Sequence, residues 1–116
     1  MNIDTFLKQA WLIDFIDQDG TKLKGQIVWG IISEDRKNRW VEDDFCCTSL
    51  VINLKDDGLV QTKNSVYKVN QVLNRITLPI KAFPFLRAGH SPKEAEFLLS
   101  IDSPLDSCLS TNVYRT

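Results

Sequence analysis

The sequence has one histidine and three cysteines in 116 residues, and this scarcity argues against most catalytic and metal-binding sites. A structural zinc site needs about four nitrogen or sulfur ligands, and Cys46, Cys47 and Cys108 have no Cys-x-x-Cys spacing. Adjacent cysteines in a strand point to opposite faces, so Cys46 and Cys47 are badly placed to share a metal ion or to bridge each other. We therefore expect no metal, no cofactor, and buried or half-buried thiols in a reducing cytoplasm.

The chain also lacks a large net charge and a long apolar run. Its 14 Lys and Arg against 15 Asp and Glu leave a formal net charge of −1, without the broad positive field that nonspecific nucleic-acid binding needs. The apolar runs fall well short of the ~20 residues that a membrane-spanning helix requires. Residues 1–8 have no basic cluster before an apolar stretch, unlike a secretory signal. We expect a cytoplasmic protein without membrane contact.

What is present is an ordinary globular composition, with 43% hydrophobic and 25% charged residues. A chain of this length predicts one domain over residues 1–116, since domains cluster near ~100–150 residues. No repeat, linker or low-complexity segment divides it. Residues 103–116 are polar and Ser-rich, and we expect them to form a loose tail.

Apolar runs rich in β-formers, separated by turn signals, predict a β-rich fold. Asp19-Gly20 and Asp57-Gly58 suit the positive φ of hairpin turns, and Gly25 and Gly30 are candidates for bulges or close backbone approach. Five strand regions follow, the fourth of them interrupted: 11–17, 23–33, 45–54, 59–69 and 72–80. Alternation in the third region places five side chains on one face: Cys46, Thr48, Leu50, Ile52 and Leu54.

One or two short helices complete the prediction, which is a β-rich α+β fold built on an antiparallel meander sheet or small open barrel of about five to six strands. Residues 2–10 have helical spacing. Ser91-Pro92-Lys93-Glu94 is a capping-box signal with Pro at the first helical position, for a helix ending near Ser100. Residues 82–89, which include Pro84, read as an irregular loop.

The longest stretch with a recognisable pattern combines Arg39-Trp40, Asp44-Phe45, Thr48-Ser49 and Thr62-x-Asn64-Ser65-x-Tyr67. It resembles a family of short, uncharacterised bacterial proteins that share Arg-aromatic, Gly-Asp-aromatic, a Ser/Thr pair and Thr-x-Asn-Ser/Thr-x-Tyr. Asp43 stands where that pattern has Gly, and Asp tolerates a positive φ better than most residues do. The resemblance implies a fold and an origin in prophages, plasmids and other mobile DNA. It implies no activity, substrate or active site.

Two charged segments of opposite sign are candidates for binding. The acidic run Glu42-Asp43-Asp44 is either a solvated rim that guards a sheet or an anionic face that steers a basic partner. Asp35-Arg36-Lys37-Asn38-Arg39-Trp40 places three cations beside a tryptophan, which could hold a phosphate and stack a base. No Gly-rich phosphate loop or second basic patch accompanies it.

Three tryptophans give further predictions. Trp29 lies in the middle of a predicted strand and is expected in the core. Trp11 and Trp40 lie at the ends of elements, where a tryptophan serves either as a lid on the core or as an interface anchor.

Two possible chemical motifs are weak. Asp17-x-Asp19-Gly20 matches the start of a calcium loop, but the twelfth residue is Val28 instead of the required Glu. His90 would need Cys47 or Ser91 to meet it as a nucleophile, and nothing in their spacing requires that. We interpret the first as a hairpin turn and the second as an exposed loop residue.

The resulting hypothesis is a small, non-enzymatic, protein-binding module from bacterial mobile DNA, of the inhibitor, immunity or antitoxin type. Its candidate interaction residues are Trp40, Arg39, Asp43, Asp44, Arg36 and Trp11. The alternatives are a nucleic-acid or small-ligand module near Arg39 and Trp40, and a hydrolase that uses His90. A homodimer could form through an exposed edge strand, either 59–69 or the strand that carries Pro79.

Overall fold

A computed structural model of the chain describes residues 2–55, 57–70 and 73–102. Within these ranges it contains seven strands and two α-helices, so the prediction of a β-rich α+β fold is confirmed. The expected tail at 103–116 lies outside the described residues. The elements are β1 Thr5–Ile16, β2 Lys22–Asp35, β3 Phe45–Cys47, β4 Val51–Leu54, β5 Leu59–Thr62, β6 Val66–Val69, β7 Leu73–Pro79, a 3-10 turn Ile80–Ala82, α1 Phe83–Arg87 and α2 Pro92–Asp102.

A long hairpin of β1 and β2 forms the centre of the sheet. Its turn is fixed by Asp19, whose Oδ1 accepts the Thr21 amide at 2.9 Å, and by Gly20 at a φ of 87°. Both were predicted as turn residues, and the hairpin is confirmed. At Gly30 a Cβ atom would lie 2.6 Å from the Gln9 carbonyl oxygen, so the expected close backbone approach is also present.

The helix predicted over residues 2–10 is wrong, because β1 already begins at Thr5. Residues 5–7 pair with β2 on one side and with β6 on the other. Hydrogen bonding to two neighbouring strands outweighs the weak helical spacing of a short segment.

The sheet branches at β1. The edge of β1 opposite β2 pairs in parallel with β6 at Thr5–Leu7 and with β7 from Ala10 to Ile16. The remaining order is β3-β2-β1-β6-β5-β4, an open mixed sheet in place of an antiparallel meander or barrel. Strands 5 and 6 therefore lie inside the sheet, so the expected dimer edge at 59–69 is wrong. Strand β7, which carries Pro79, pairs only with β1 among the described strands and is an edge.

Two apolar clusters lie in the core. The first is built by β1, β2, β3, β5 and β6: Leu7, Ala10, Leu12, Val28, Ile32, Cys46, Val60, Tyr67 and Val69. The second joins the central hairpin to β7 and the helices: Ile13, Phe15, Ile27, Trp29, Leu78, Ala82, Leu86 and Ala95. Trp29 is buried and its indole Nε1 donates to the Leu86 carbonyl at 3.2 Å, so its predicted place in the core is confirmed.

The capping box predicted for the last helix is confirmed. The Ser91 amide donates to Glu94 Oε1 at 2.8 Å, and the Glu94 amide donates to Ser91 Oγ at 3.2 Å. Ala95 is fully buried, as expected. The loop predicted at 82–89 is wrong, because α1 begins at Phe83 and Pro84 lies in its first turn, where a missing amide is tolerated. No helix in the described ranges is long and apolar enough to cross a membrane.

Candidate functional site

The loop after β2, where most of the predicted interaction residues lie, is organised by the buried carboxylate of Asp35. Its side chain is fully buried and accepts the Thr5 hydroxyl at 2.8 Å. It also accepts the backbone amides of Arg39 at 2.6 Å and Trp40 at 3.1 Å. Burial opposes ionisation, but these hydrogen bonds outweigh it and the pKa of Asp35 is lowered. Asp35 thus fixes the loop conformation from inside.

The guanidinium of Arg39 joins this loop to two other parts of the chain. Its Nη1 donates to Ser65 Oγ at 2.8 Å, and its Nη2 donates to Thr5 Oγ1 at 2.9 Å. Arg39 and Ser65 belong to the two halves of the pattern on which the family resemblance rests. The contact between Arg39 and Ser65 links the loop to the β5–β6 turn.

Trp40 packs against the first core cluster and is partly buried. The Arg39 guanidinium lies 4.2 Å from its ring centroid and covers part of the outer surface. A cation in this position is attracted to the ring face and shields it from water. This geometry favours the lid over the interface anchor, the two roles that the sequence left open.

The other cations of the loop are also engaged. The Arg36 guanidinium lies 4.8 Å from the ring of Phe6, and its Nε is 3.7 Å from Glu34 Oε2. The Lys37 ammonium donates to the Asn64 carbonyl at 2.9 Å. The three cations predicted as a phosphate-binding group therefore hold the loop against the N-terminal residues and the β5–β6 turn.

The acidic run beside this loop is partly neutralised. Lys8 on β1 pairs with Asp43, and its ammonium is 3.6 Å from Glu42. Asp43 has a φ of 73°, in the left-handed region that a Gly would occupy without strain. Asp44 is exposed, and its backbone carbonyl accepts the Ile32 amide at 2.8 Å. Asp44 is the residue of the run that remains fully available to a partner.

Trp11 lies on the face of the hairpin that belongs to the second core cluster. It is partly buried and contacts Trp29 edge to face, with the ring centroids 6.0 Å apart. The structure therefore groups Arg36, Arg39, Trp40, Asp43 and Asp44 around one loop and places Trp11 in a different environment.

A second buried carboxylate, Asp14, lies on β1. Its carboxylate accepts hydrogen bonds from Arg75 Nε at 2.8 Å and from the side-chain amide Nε2 of Gln26 at 2.8 Å. The Arg75 hydrogen bond is the main reason that the pKa of Asp14 is lowered. Asp14 and Asp35 share this property although they lie in different parts of the sheet.

Acid should therefore destabilise the protein. The pKa values of Asp14 and Asp35 are lower in the folded protein than in the unfolded chain. Their contribution to the free energy of unfolding is therefore fully present above the unfolded-state Asp pKa of about 3.9, and it is lost as the pH falls through their folded-state pKa values. We expect urea midpoints to fall from about pH 5 downward. An Asp14→Asn variant should show a shallower fall. A midpoint that stays constant between neutral and strongly acidic pH would contradict this.

The residues proposed for hydrolysis are not assembled for it. His90 is exposed, with its Nδ1 3.8 Å from Glu94 and its ring against Phe85. Burial raises the pKa of Cys46 to about 12 and that of Cys47 to about 11, so neither thiol ionises at neutral pH. Within residues 2–55, 57–70 and 73–102, no three His, Cys, Asp or Glu side chains group as metal ligands.

An exposed apolar surface lies at β4, which the sequence pattern does not predict. The single strand predicted over 45–54 is broken at Thr48, whose Oγ1 accepts the Val28 amide and donates to the Ser49 carbonyl. Cys46 and Thr48 are buried, whereas Leu50, Ile52 and Leu54 are 61%, 64% and 41% exposed. The shared face predicted for these five side chains is therefore wrong. The Thr48-Ser49 pair was the available signal, since hydroxyl side chains bond locally and interrupt ladders.

Leu50, Ile52 and Leu54 form what we call the β4 ridge. Strand β4 pairs only with β5 among the described strands, so its other edge carries no ladder. Exposed apolar edge strands are avoided in proteins that act alone, because they invite pairing with other chains.

A groove of about 330 Å³ adjoins this ridge at Leu50. It lies between the start of β2 and α1, and its walls are mostly apolar. The side chains and backbone that line it come from Phe15, Leu23, Lys24, Gly25, Ile27, Thr48, Ser49, Leu50, Ile80, Phe83 and Arg87.

Comparisons of the chain with protein-family models, with curated proteins and with solved structures found no match.

Proposed function

We propose that this chain is a small, non-enzymatic, protein-binding module that engages its partner through the β4 ridge. The observation that carries the proposal is the exposure of Ile52 and Leu54 on β4, and of Leu50 directly before it, beside an edge that no described strand pairs with. A protein partner would remove both the apolar side chains and the edge backbone groups from water.

The geometry gives less support to the two alternatives. A nucleic-acid module would need the cations near Trp40, but Arg39 already bonds Ser65 and Thr5. A hydrolase would need a nucleophile held by His90, but the His90 ring lies against Phe85 and near Glu94, and Ser91 Oγ accepts the Glu94 amide in the capping box. Protein binding at the β4 ridge requires no rearrangement of the Arg39 contacts or of the residues around His90.

The family resemblance suggests only a setting for the partner, which is bacterial mobile DNA. Small binding proteins from bacterial mobile DNA would act in the cytoplasm as inhibitors, immunity proteins or antitoxins. In that setting the β4 ridge would cover part of a toxin or of another protein from the same element.

Replacing Ile52 by Gln should abolish partner capture. The ridge would present a polar amide in place of an apolar side chain, and we expect recovery of the partner to drop by about tenfold or more. The measurement is affinity capture from a bacterial lysate with tagged wild-type and variant proteins, read by mass spectrometry and by absorbance at 260 nm.

Val41→Gln is the matched control, because Val41 is 69% exposed and lies outside the ridge. Its recovery of the partner should equal that of the wild type. Equal recovery with Ile52→Gln, or recovery of nucleic acid alone, would contradict the proposal.

A further inference from the structure

The β4 ridge and the groove form one continuous surface. Leu50 lines the groove and directly precedes Val51, the first residue of β4. Its Cδ2 atom lies 3.1 Å from where a Cβ of Gly25 would be, so Leu50 packs closely over that glycine. A chain that pairs with β4 would therefore reach the groove beside Leu50.

The charge at the groove is of one sign. Lys24 and Arg87 are both exposed and line the groove, and no carboxylate is among the described residues that do so. The Arg87 guanidinium lies 5.9 Å from the Phe83 ring, at the apolar wall. An apolar cleft with a cationic rim complements an apolar side chain that has carboxylates beside it, and it repels Lys and Arg.

We infer that the segment recognised by this surface is an extended, acidic peptide. It adds a strand to the free edge of β4, packs aliphatic or aromatic side chains on the ridge and in the groove, and sets Asp or Glu beside Lys24 and Arg87. Main-chain hydrogen bonds supply affinity, and the rim charges select the sequence. This inference rests on the proposed function and adds the chemistry of the partner.

The test uses a phage-displayed library of random dodecapeptides, selected against the immobilised full chain. We expect enriched peptides to combine bulky apolar residues with an excess of Asp and Glu. Against the Lys24→Glu/Arg87→Glu variant, the acidic excess should disappear. An enriched peptide, measured by fluorescence anisotropy, should bind this variant about tenfold more weakly than the wild type.

Lys63→Glu/Lys93→Glu is the control, since it changes the net charge equally through two exposed lysines outside the groove. It should retain both enrichment and affinity. Circular dichroism of each variant checks that the fold is preserved. All the replaced residues are exposed, so folding should not change.

The outcomes separate this inference from the proposed function. Peptides that lose binding with Ile52→Gln but carry no acidic excess would overturn the inference and leave the protein-binding role in place. Peptides insensitive to Ile52→Gln, or no enrichment at all, would overturn both. A dimer in analytical ultracentrifugation that Ile52→Gln dissociates would assign the edge to a second copy of the chain, and would also overturn the inference.

Discussion

The Asp35→Ala variant should lose about 3 kcal/mol of unfolding free energy, as expected when one member of a buried, hydrogen-bonded charge network is removed. The substitution leaves the Thr5 hydroxyl and the amides of Arg39 and Trp40 without their acceptor. Unmade hydrogen bonds at buried donors cost more than the bonds contribute when formed. Urea unfolding of variant and wild type at neutral pH measures the difference.

Asp44→Ala provides the control, because Asp44 is exposed and close in sequence to the same loop. Its unfolding free energy should stay within about 0.5 kcal/mol of the wild type. A similarly small effect of Asp35→Ala would show that the loop conformation does not depend on the carboxylate, and would contradict the structural role assigned to it.

The Trp29→Ala variant should lose about 3–5 kcal/mol of unfolding free energy, which is the range for truncating a buried aromatic side chain. The ring centroid of Trp29 lies 6.1 Å from that of Phe45, on which it stacks, and 6.0 Å from that of Trp11. Its indole Nε1 donates to the Leu86 carbonyl at 3.2 Å. Its removal opens a cavity between the hairpin and α1. Thermal and urea unfolding, followed by circular dichroism, measure the loss.

Trp11→Ala is the comparison, since Trp11 lies at the other side of the same aromatic pair but is only partly buried. Trp11→Ala should lower the unfolding free energy clearly less than Trp29→Ala does. Equal losses for the two variants would mean that Trp11, too, carries the core packing, and would argue against any role for it at an interface.

Local signals in the sequence were sufficient where the structure is local. The turn at Asp19 and Gly20, the turn at Gly58 and the capping box at Ser91 each rest on contacts within a few residues. Asp43 has a left-handed φ, a conformation that Asp tolerates better than most residues do. These features need no knowledge of distant parts of the chain.

The predictions from the sequence are wrong where contacts between residues distant in the chain determine the local structure. The spacing of residues 2–10 predicts a helix wrongly, because the pairing of Thr5 with Tyr67 is not visible in a short stretch of sequence. The shared face predicted for Cys46 to Leu54 is wrong because Thr48 bonds to Val28, twenty residues earlier in the chain, and interrupts the strand. The candidate residues around Arg39 are neighbours in the sequence, but the hydrogen bonds of Arg39 to Ser65 and Thr5 follow only from the fold.

The divided edge of β1 has a consequence for the order of folding. Hairpin β1–β2 joins residues close in sequence, whereas β6 and β7 reach β1 only by closing loops of about 60 residues, Thr5 to Tyr67 and Ala10 to Leu73. Closing long loops costs entropy before the new contacts compensate, so these steps are slow. We expect the hairpin to form early during synthesis, with the Ala10–Ile16 part of the β1 edge unpaired until β7 has left the ribosome. The growing chain is therefore most vulnerable to misassociation in that interval.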